Sequence, residues 1–273
     1  PGMLGHEMVR VLKLSGISVT TAGRSGADLD FDVATMDLSE SRFSGFDYIV
    51  NCIGLTTHNI DELDATHVES ARLLNTEFPK RLTEFAERSG GRLIQIATDC
   101  VFSGAKGGYL ETDTRDASDV YGTTKTQGEV TSPAVMHIRC SIIGREIRGK
   151  KSLLEWVAGQ PKDATIAGFT DRKWNGVTTT AFSRVVAGII LNSLFRAGTY
   201  HLIPSGELTK FGLVSALKNA LNRTDVKVVA QDSGVAKDLT LATLDSDFNL
   251  ALWQAGGYQS IPTIEQLIAE IAG

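Results

Sequence analysis

Over the first 144 residues of this 273-residue chain, short apolar runs alternate with amphipathic stretches. In "MLGHEMVRVLKLSG" (3–16), Leu4, Met8, Val11 and Leu12 recur at helical spacing and Gly16 supplies a stop. "ISVTTAG" (17–23) predicts a strand and "DFDVATM" (30–36) a weaker one. "DYIVNCIG" (47–54) reads as a buried strand, followed by a long helical stretch over 64–88. "RLIQIAT" (92–98) and "AVMHIRCSII" (134–143) predict two more strands, with a helix beginning near Tyr121 between them. Strand and helix in alternation imply βαβ crossovers and a parallel sheet with both faces covered. The expected fold class is therefore α/β, with a doubly wound sheet.

Beyond Gly144 the pattern loosens. Residues 150–160, 179–195 and 209–221 look helical, and 198–203 and 226–231 read as strands. "TIEQLIAEIA" (263–272) closes as a helix, with Thr263 and Gln266 spaced as a capping box. The expected division is a nucleotide-binding unit over 1–144 and a smaller α/β substrate lobe over 145–273. Residues 179–196 are expected to pack back on the first unit.

Composition narrows the function. A net charge of −5 and no long basic run argue against a nucleic-acid surface. Three well-separated cysteines and five histidines without metal-ligand spacing exclude a disulfide scaffold and a zinc site. No apolar stretch reaches spanning length, so a membrane partner is not expected and a cytoplasmic setting is.

Two local patterns carry chemistry. "GMLG" (2–5) opens a helix, and its amides could meet a phosphate. The chain begins inside this turn without the strand that should lead into it, so a missing first strand is expected. "DVYGTTKTQGE" (119–129) sets Tyr121 four residues before Lys125, side by side on one helix face. A neighbouring ammonium should lower the phenol's pKa and make it a proton donor near neutral pH.

The segment "ATDCVFSGAKGGYLETDTRDASDVYGTTKTQGE" (97–129) carries several spaced motifs together: Thr-Asp, Val-Phe-x-Gly, Glu-Thr-Asp and Tyr-Gly-x-x-Lys-x-x-Gly-Glu. From Gly2 to Ser141 the chain resembles the extended short-chain dehydrogenase/reductase superfamily, and within it the dTDP-4-dehydrorhamnose reductases. The resemblance implies a Rossmann-type fold, a nucleotide-sugar substrate, and catalysis by Thr98, Tyr121 and Lys125. It also implies cofactor contacts from Gly2, Met3, Leu4, Gly5, Arg24, Asp37, Leu38, Cys52, Ile53, Gly54 and Asn75, together with Tyr121 and Lys125. Arg24 stands where a 2′-phosphate would lie, which favours NADP(H) and leaves NAD(H) open. Ser39 belongs to the same adenine-side motif as Asp37 and Leu38. Thr56, Thr98, Asp99, Cys100, Arg172, Trp174 and Asn175 are expected on the substrate side, with Trp174 equally readable as a core anchor. A homodimer is common in the superfamily.

Two positions depart from that pattern: Cys100 replaces a tyrosine, and Ile142 a tryptophan. Cys100 in place of glutamate speaks against a sugar dehydratase. An epimerase-reductase resembling GDP-fucose synthase would use a cysteine there, but its histidine partner has no counterpart in 145–156. A non-catalytic alternative resembles the regulatory subunit of methionine adenosyltransferase.

Overall fold

The computed structural model describes residues 2–38, 41–147 and 149–272. Helix α1 (Met3–Leu14) comes first and is followed by the short parallel pair β1 (Ala22–Gly23) and β2 (Leu29–Asp30). Strand β3 (Tyr48–Asn51) leads to α2 (Ala65–Arg72), a π-helical turn over Leu73–Glu77, and α3 (Phe78–Ser89). Next come β4 (Arg92–Ala97), α4 (Val120–Gly128) and β5 (Val135–Arg139). The chain continues through β6 (Ile142–Ile143), α5 (Leu153–Ala158), β7 (Thr165–Phe169), β8 (Arg172–Trp174) and β9 (Val177–Thr178). Helix α6 (Thr179–Leu191) precedes β10 (Gly198–His201), β11 (Leu208–Thr209) and α7 (Lys210–Ala220). The last elements are β12 (Lys227–Gln231), β13 (Lys237–Asp238), α8 (Ser246–Ala255) and α9 (Ile264–Ala272).

Strands β3, β4, β5 and β10 pair in parallel, in the order β10-β5-β4-β3. Alternation along β4 explains how both faces are covered. Leu93 packs with Phe78, Leu82 and Phe85 of α3, whereas Ile94 joins Met8 of α1 and Phe182 of α6 on the opposite face. The same cluster places α6 against α1. A second core, built on Leu154, Trp174, Leu213 and Ile268, holds β8 together with α5, α7 and α9.

The predicted helices over 3–16, 64–88 and 263–272 form. Asp64 caps α2 by accepting from the Thr66 N–H at 2.8 Å. Thr263 and Gln266 form the expected capping box, with bonds of 2.8 and 3.3 Å. The two early strands shrink to two residues each. At 32–35 the chain turns, with Asp32 accepting from the Ala34 N–H at 2.8 Å, and Val33, Met36 and Leu38 drop into the core beside Phe43. Among the described residues, the β1–β2 ladder is not hydrogen-bonded to the four-stranded sheet. Helix α8 and the two- and three-residue strands of the second half carried too little periodicity to be predicted. Pro1 and Ser39 lie outside the described residues.

Candidate active site

Helix α4 is fixed by three close contacts. Asp119 accepts from the Gly122 N–H at 2.7 Å, so the helix starts at Val120 and Tyr121 falls in its first turn. A Cβ on Gly122 would run into the Cys100 carbonyl, and one on Gly128 into the Asn75 carbonyl. Glycine at these two positions lets α4 press against the turn after β4 and against the π-helical turn. From that turn, Asn75 accepts from the Leu55 N–H at 2.8 Å and donates to the Leu55 carbonyl at 3.0 Å and to Thr124 Oγ1 at 3.2 Å. Its neighbour Thr76 donates to the Thr124 carbonyl at 2.7 Å. The extra residue of a π-helical turn lets consecutive side chains address one partner helix.

Thr98 ends β4 and is buried. Its hydroxyl accepts from the Cys100 N–H at 3.1 Å, lies 3.1 Å from the Asp99 carboxylate, and is close enough to the Tyr121 phenol to favour its ionised form. Thus Thr98 and Tyr121, 23 positions apart, meet at the carboxyl end of the sheet, where open α/β folds place ligands. Lys125 is buried below them and donates to the Ile96 carbonyl at 2.9 Å.

The expected lowering of the Tyr121 pKa does not occur. Burial pushes the phenol well above its ordinary value, with the nearby Cys100, Asp99 and Cys140 adding to it and Thr98 opposing. The i,i+4 spacing holds, but the Lys125 ammonium is directed to a strand carbonyl instead of to the phenol. Burial also lowers the Lys125 pKa, against the pull of Glu129. Glu129 itself is paired with Arg139 at 2.6 Å, both side chains being almost wholly buried.

On the cofactor side, Gly2 is the extended N-cap of α1, and no side chain caps the helix. The amides of Met3, Leu4 and Gly5 therefore fit an anion such as a pyrophosphate. The Leu4 side chain is in the core, so only its backbone could serve. Gly5 lies against Cys52, where a Cβ would be 3.6 Å from the Cys52 Cβ, and burial pushes the Cys52 thiol up to about 12. Arg24 is exposed just past β1, and Asp37 is exposed in the segment that follows β2. Leu38 is a core side chain. The Ile53 N–H is held at 2.9 Å by Asn51, and the exposed Gly54 leads to Leu55, held by Asn75. Asn75 is thus a buried tie between this loop and α4.

On the substrate side, Thr56 is exposed and accepts from Asn59 at 3.1 Å. Asp99 is buried, and that burial raises its pKa despite hydrogen bonds from Thr98, Cys100 and Ser141 and the charge of Lys210. Two expectations are corrected here. Trp174 is a core side chain, packed with Leu154 and Leu213. Asn175 is buried, with its amide donating to the Leu241 carbonyl at 2.7 Å and accepting from the Leu241 N–H at 2.9 Å. Arg172 is half-buried and donates through Nε to Ser233 at 3.0 Å.

The family model for the RmlD substrate binding domain matches residues 1–271. The chain belongs to that family. Among curated relatives, the dTDP-4-dehydrorhamnose reductase of Streptomyces griseus is 34% identical over 130 residues, 47% of this chain and 41% of its own length. The methionine adenosyltransferase 2 subunit beta of Bos taurus is 26% identical over 238 residues, 81% of this chain and 70% of its own length. A crystal structure of dTDP-4-dehydrorhamnose reductase from Bacillus anthracis in complex with NADP superposes with a TM-score of 0.73 at 17% identity. It covers 99% of this chain and 95% of that one, which establishes the shared fold.

Within this RmlD-family fold, sequence reasoning missed Lys210, Ser141 and the Glu129–Arg139 pair. Lys210 is 89 positions beyond Tyr121 and carries no motif. Glu129 was the last residue of a recognised motif, yet its buried partner on β5 could be known only from the sheet register.

Proposed function

We propose that this protein is an NADP(H)-dependent reductase that converts the ketone of a nucleotide-activated 4-keto-6-deoxy sugar to an alcohol. The carrying observation is the convergence of Thr98, Tyr121 and Lys125 at the end of β4, with the phenol held protonated. The uncapped amides of α1 suit a dinucleotide pyrophosphate, and the exposed Arg24 suits a 2′-phosphate. The dTDP-4-dehydrorhamnose reductase relatives, and the NADP of the neighbouring crystal structure, support the substrate class and the cofactor.

A bound nicotinamide supplies the hydride. Thr98 donates a hydrogen bond to the ketone oxygen and orients it. Tyr121 gives its proton to that oxygen as negative charge develops there. Lys125, anchored on Ile96, holds the ribose hydroxyls and places a cation behind the phenol.

The epimerase-reductase alternative requires Cys100 to take a proton from carbon. Burial and the neighbouring Asp99 hold that thiol protonated, which weighs against the role. The regulatory-subunit alternative draws on the bovine relative, and the intact Thr98, Tyr121 and Lys125 weigh against it. No described helix is long and apolar enough to cross a membrane. A cytoplasmic setting is supported by three free cysteines, and a homodimer completes the proposal.

The test is a panel of 4-keto-6-deoxy nucleotide sugars offered with NADPH and with NADH, followed as loss of reduced-cofactor absorbance. Simple reduction predicts NADPH-dependent turnover and no solvent deuterium at sugar C3 or C5. Deuterium at either carbon would favour the epimerase-reductase; tight NADPH binding without turnover on any sugar would favour the regulatory role.

A further inference from the structure

Lys210 and Arg172 are neighbouring cations, and among the described residues no carboxylate forms an ion pair with either. Strand β8 pairs antiparallel with β11, Trp174 opposite Leu208 and Lys173 opposite Thr209. Lys210 follows as the first residue of α7, near enough to Arg172 for the two charges to repel. Arg172 and Trp174 share the inward face of β8, and the Lys210 ammonium lies 5.7 Å from the centre of the Trp174 ring. Lys210 has neither a hydrogen bond nor an ion pair to any described residue, and Arg172 lies over the Phe169 ring at 5.6 Å and donates through Nε to Ser233, which in turn donates to Asp171 at 2.7 Å.

The outward neighbour shows the contrast. Lys173 is paired with Glu207 at 2.6 Å and with Asp238 at 3.6 Å. Like charges held near each other are destabilising, and half-buried ones more so. Lys210 acts at a distance on Asp99 and Cys100, the residues that follow Thr98, so the pair faces the reacting end of the site. Asp99 is the carboxylate that acts on Lys210, and it is already engaged with Thr98.

We propose that Lys210 and Arg172 are substrate-binding residues that together take an anionic oxygen group of the substrate, either the diphosphate or a carboxylate on the sugar. The inference rests on the nucleotide-sugar reading of the same site. A ligand oxyanion between the two cations would give Lys210 and Arg172 the direct ion pair that no described side chain supplies. It would also set which end of the sugar enters first, since the pair stands on one side of Thr98.

Calorimetric titration of the NADP-saturated protein with uridine, UDP, UDP-glucose and UDP-glucuronate, and of thymidine against dTDP, tests this. Lys210→Met keeps the packing on Trp174 and removes the charge; Lys210→Arg restores the charge and guards against a folding defect. If the diphosphate is the ligand, Lys210→Met weakens UDP or dTDP roughly 10- to 100-fold and leaves the nucleoside unchanged. If a sugar carboxylate is the ligand, UDP and dTDP are unaffected, and UDP-glucuronate loses its advantage over UDP-glucose. Lys210→Arg recovers most of either loss, and Arg172→Met reproduces it. Affinities that Lys210→Met leaves unchanged throughout, including a wild type that binds none of the probes, overturn the inference. Lys210-dependent binding without reduction of any keto sugar would instead remove the reductase reading and leave the anion site standing.

Discussion

Lys125 Nζ donates a 2.9 Å hydrogen bond to the carbonyl oxygen of Ile96, two residues before Thr98. The bond ties the middle of α4 to β4, so the residue that positions the phenol's helix is also the buried cation of the site. Gln95 Nε2 donates to the same carbonyl at 3.1 Å, which keeps that oxygen satisfied if the lysine is removed. Lys125→Met should therefore change stability by less than about 1 kcal/mol in urea unfolding, since it also removes a buried charge. Its cost should fall on the cofactor, with NADPH affinity reduced roughly tenfold or more. A large loss of stability with unchanged NADPH affinity would make Lys125 structural only.

Burial raises the Tyr121 pKa above its ordinary value of 10. A raised folded-state pKa means that the proton's contribution is complete below about 10 and is lost only as pH climbs through the folded value. Reduction should therefore keep its acid throughout pH 7 to 9, in contrast to the early ionisation that the Tyr-x-x-x-Lys spacing predicts. Tyr121→Phe should lower kcat by roughly 10²- to 10⁴-fold with little change in NADPH affinity. The tyrosinate absorbance of the wild type minus that of Tyr121→Phe should develop only above about pH 10; a component titrating near 8 would contradict the burial argument.

Arg24 is exposed past the end of β1, where a guanidinium can form paired bonds to a phosphate. Arg24→Ala should weaken NADPH roughly 10- to 100-fold while changing NADH by less than about twofold. Equal losses for both cofactors would remove Arg24 from 2′-phosphate recognition.

Burial pushes the Glu129 carboxyl up, but hydrogen bonds from Arg139 outweigh it, and the net pKa lies below the ordinary 4.5. Arg139 donates to Glu129 at 2.6 Å through one terminal nitrogen and at 3.0 and 3.1 Å through Nε. A depressed carboxylate contributes fully above about 4.5 and loses that contribution as pH falls through the folded value. Glu129→Gln should cost about 3–5 kcal/mol at pH 7, because Arg139 is left buried without its counter-charge. The difference from wild type, read from urea midpoints, should narrow once pH drops below 4; a constant gap from pH 7 to pH 3 would argue against the linkage.

The sequence by itself determined the parallel α/β class, the long helices and the Thr98–Tyr121–Lys125 order, because each rests on local periodicity or on residues within one short segment. Hydrophobic spacing sufficed for α1, for the 64–88 region and for α9, whose caps are written a few residues away. The tertiary structure alone decided what surrounds those residues. Whether Asn175 faces a ligand or Leu241, whether Trp174 is a core anchor, and that Lys210 lies over the Trp174 ring all depend on contacts across tens of positions. The direction of the Tyr121 shift was likewise out of reach: spacing brings in one neighbouring charge, whereas desolvation sums over every element packed around the phenol.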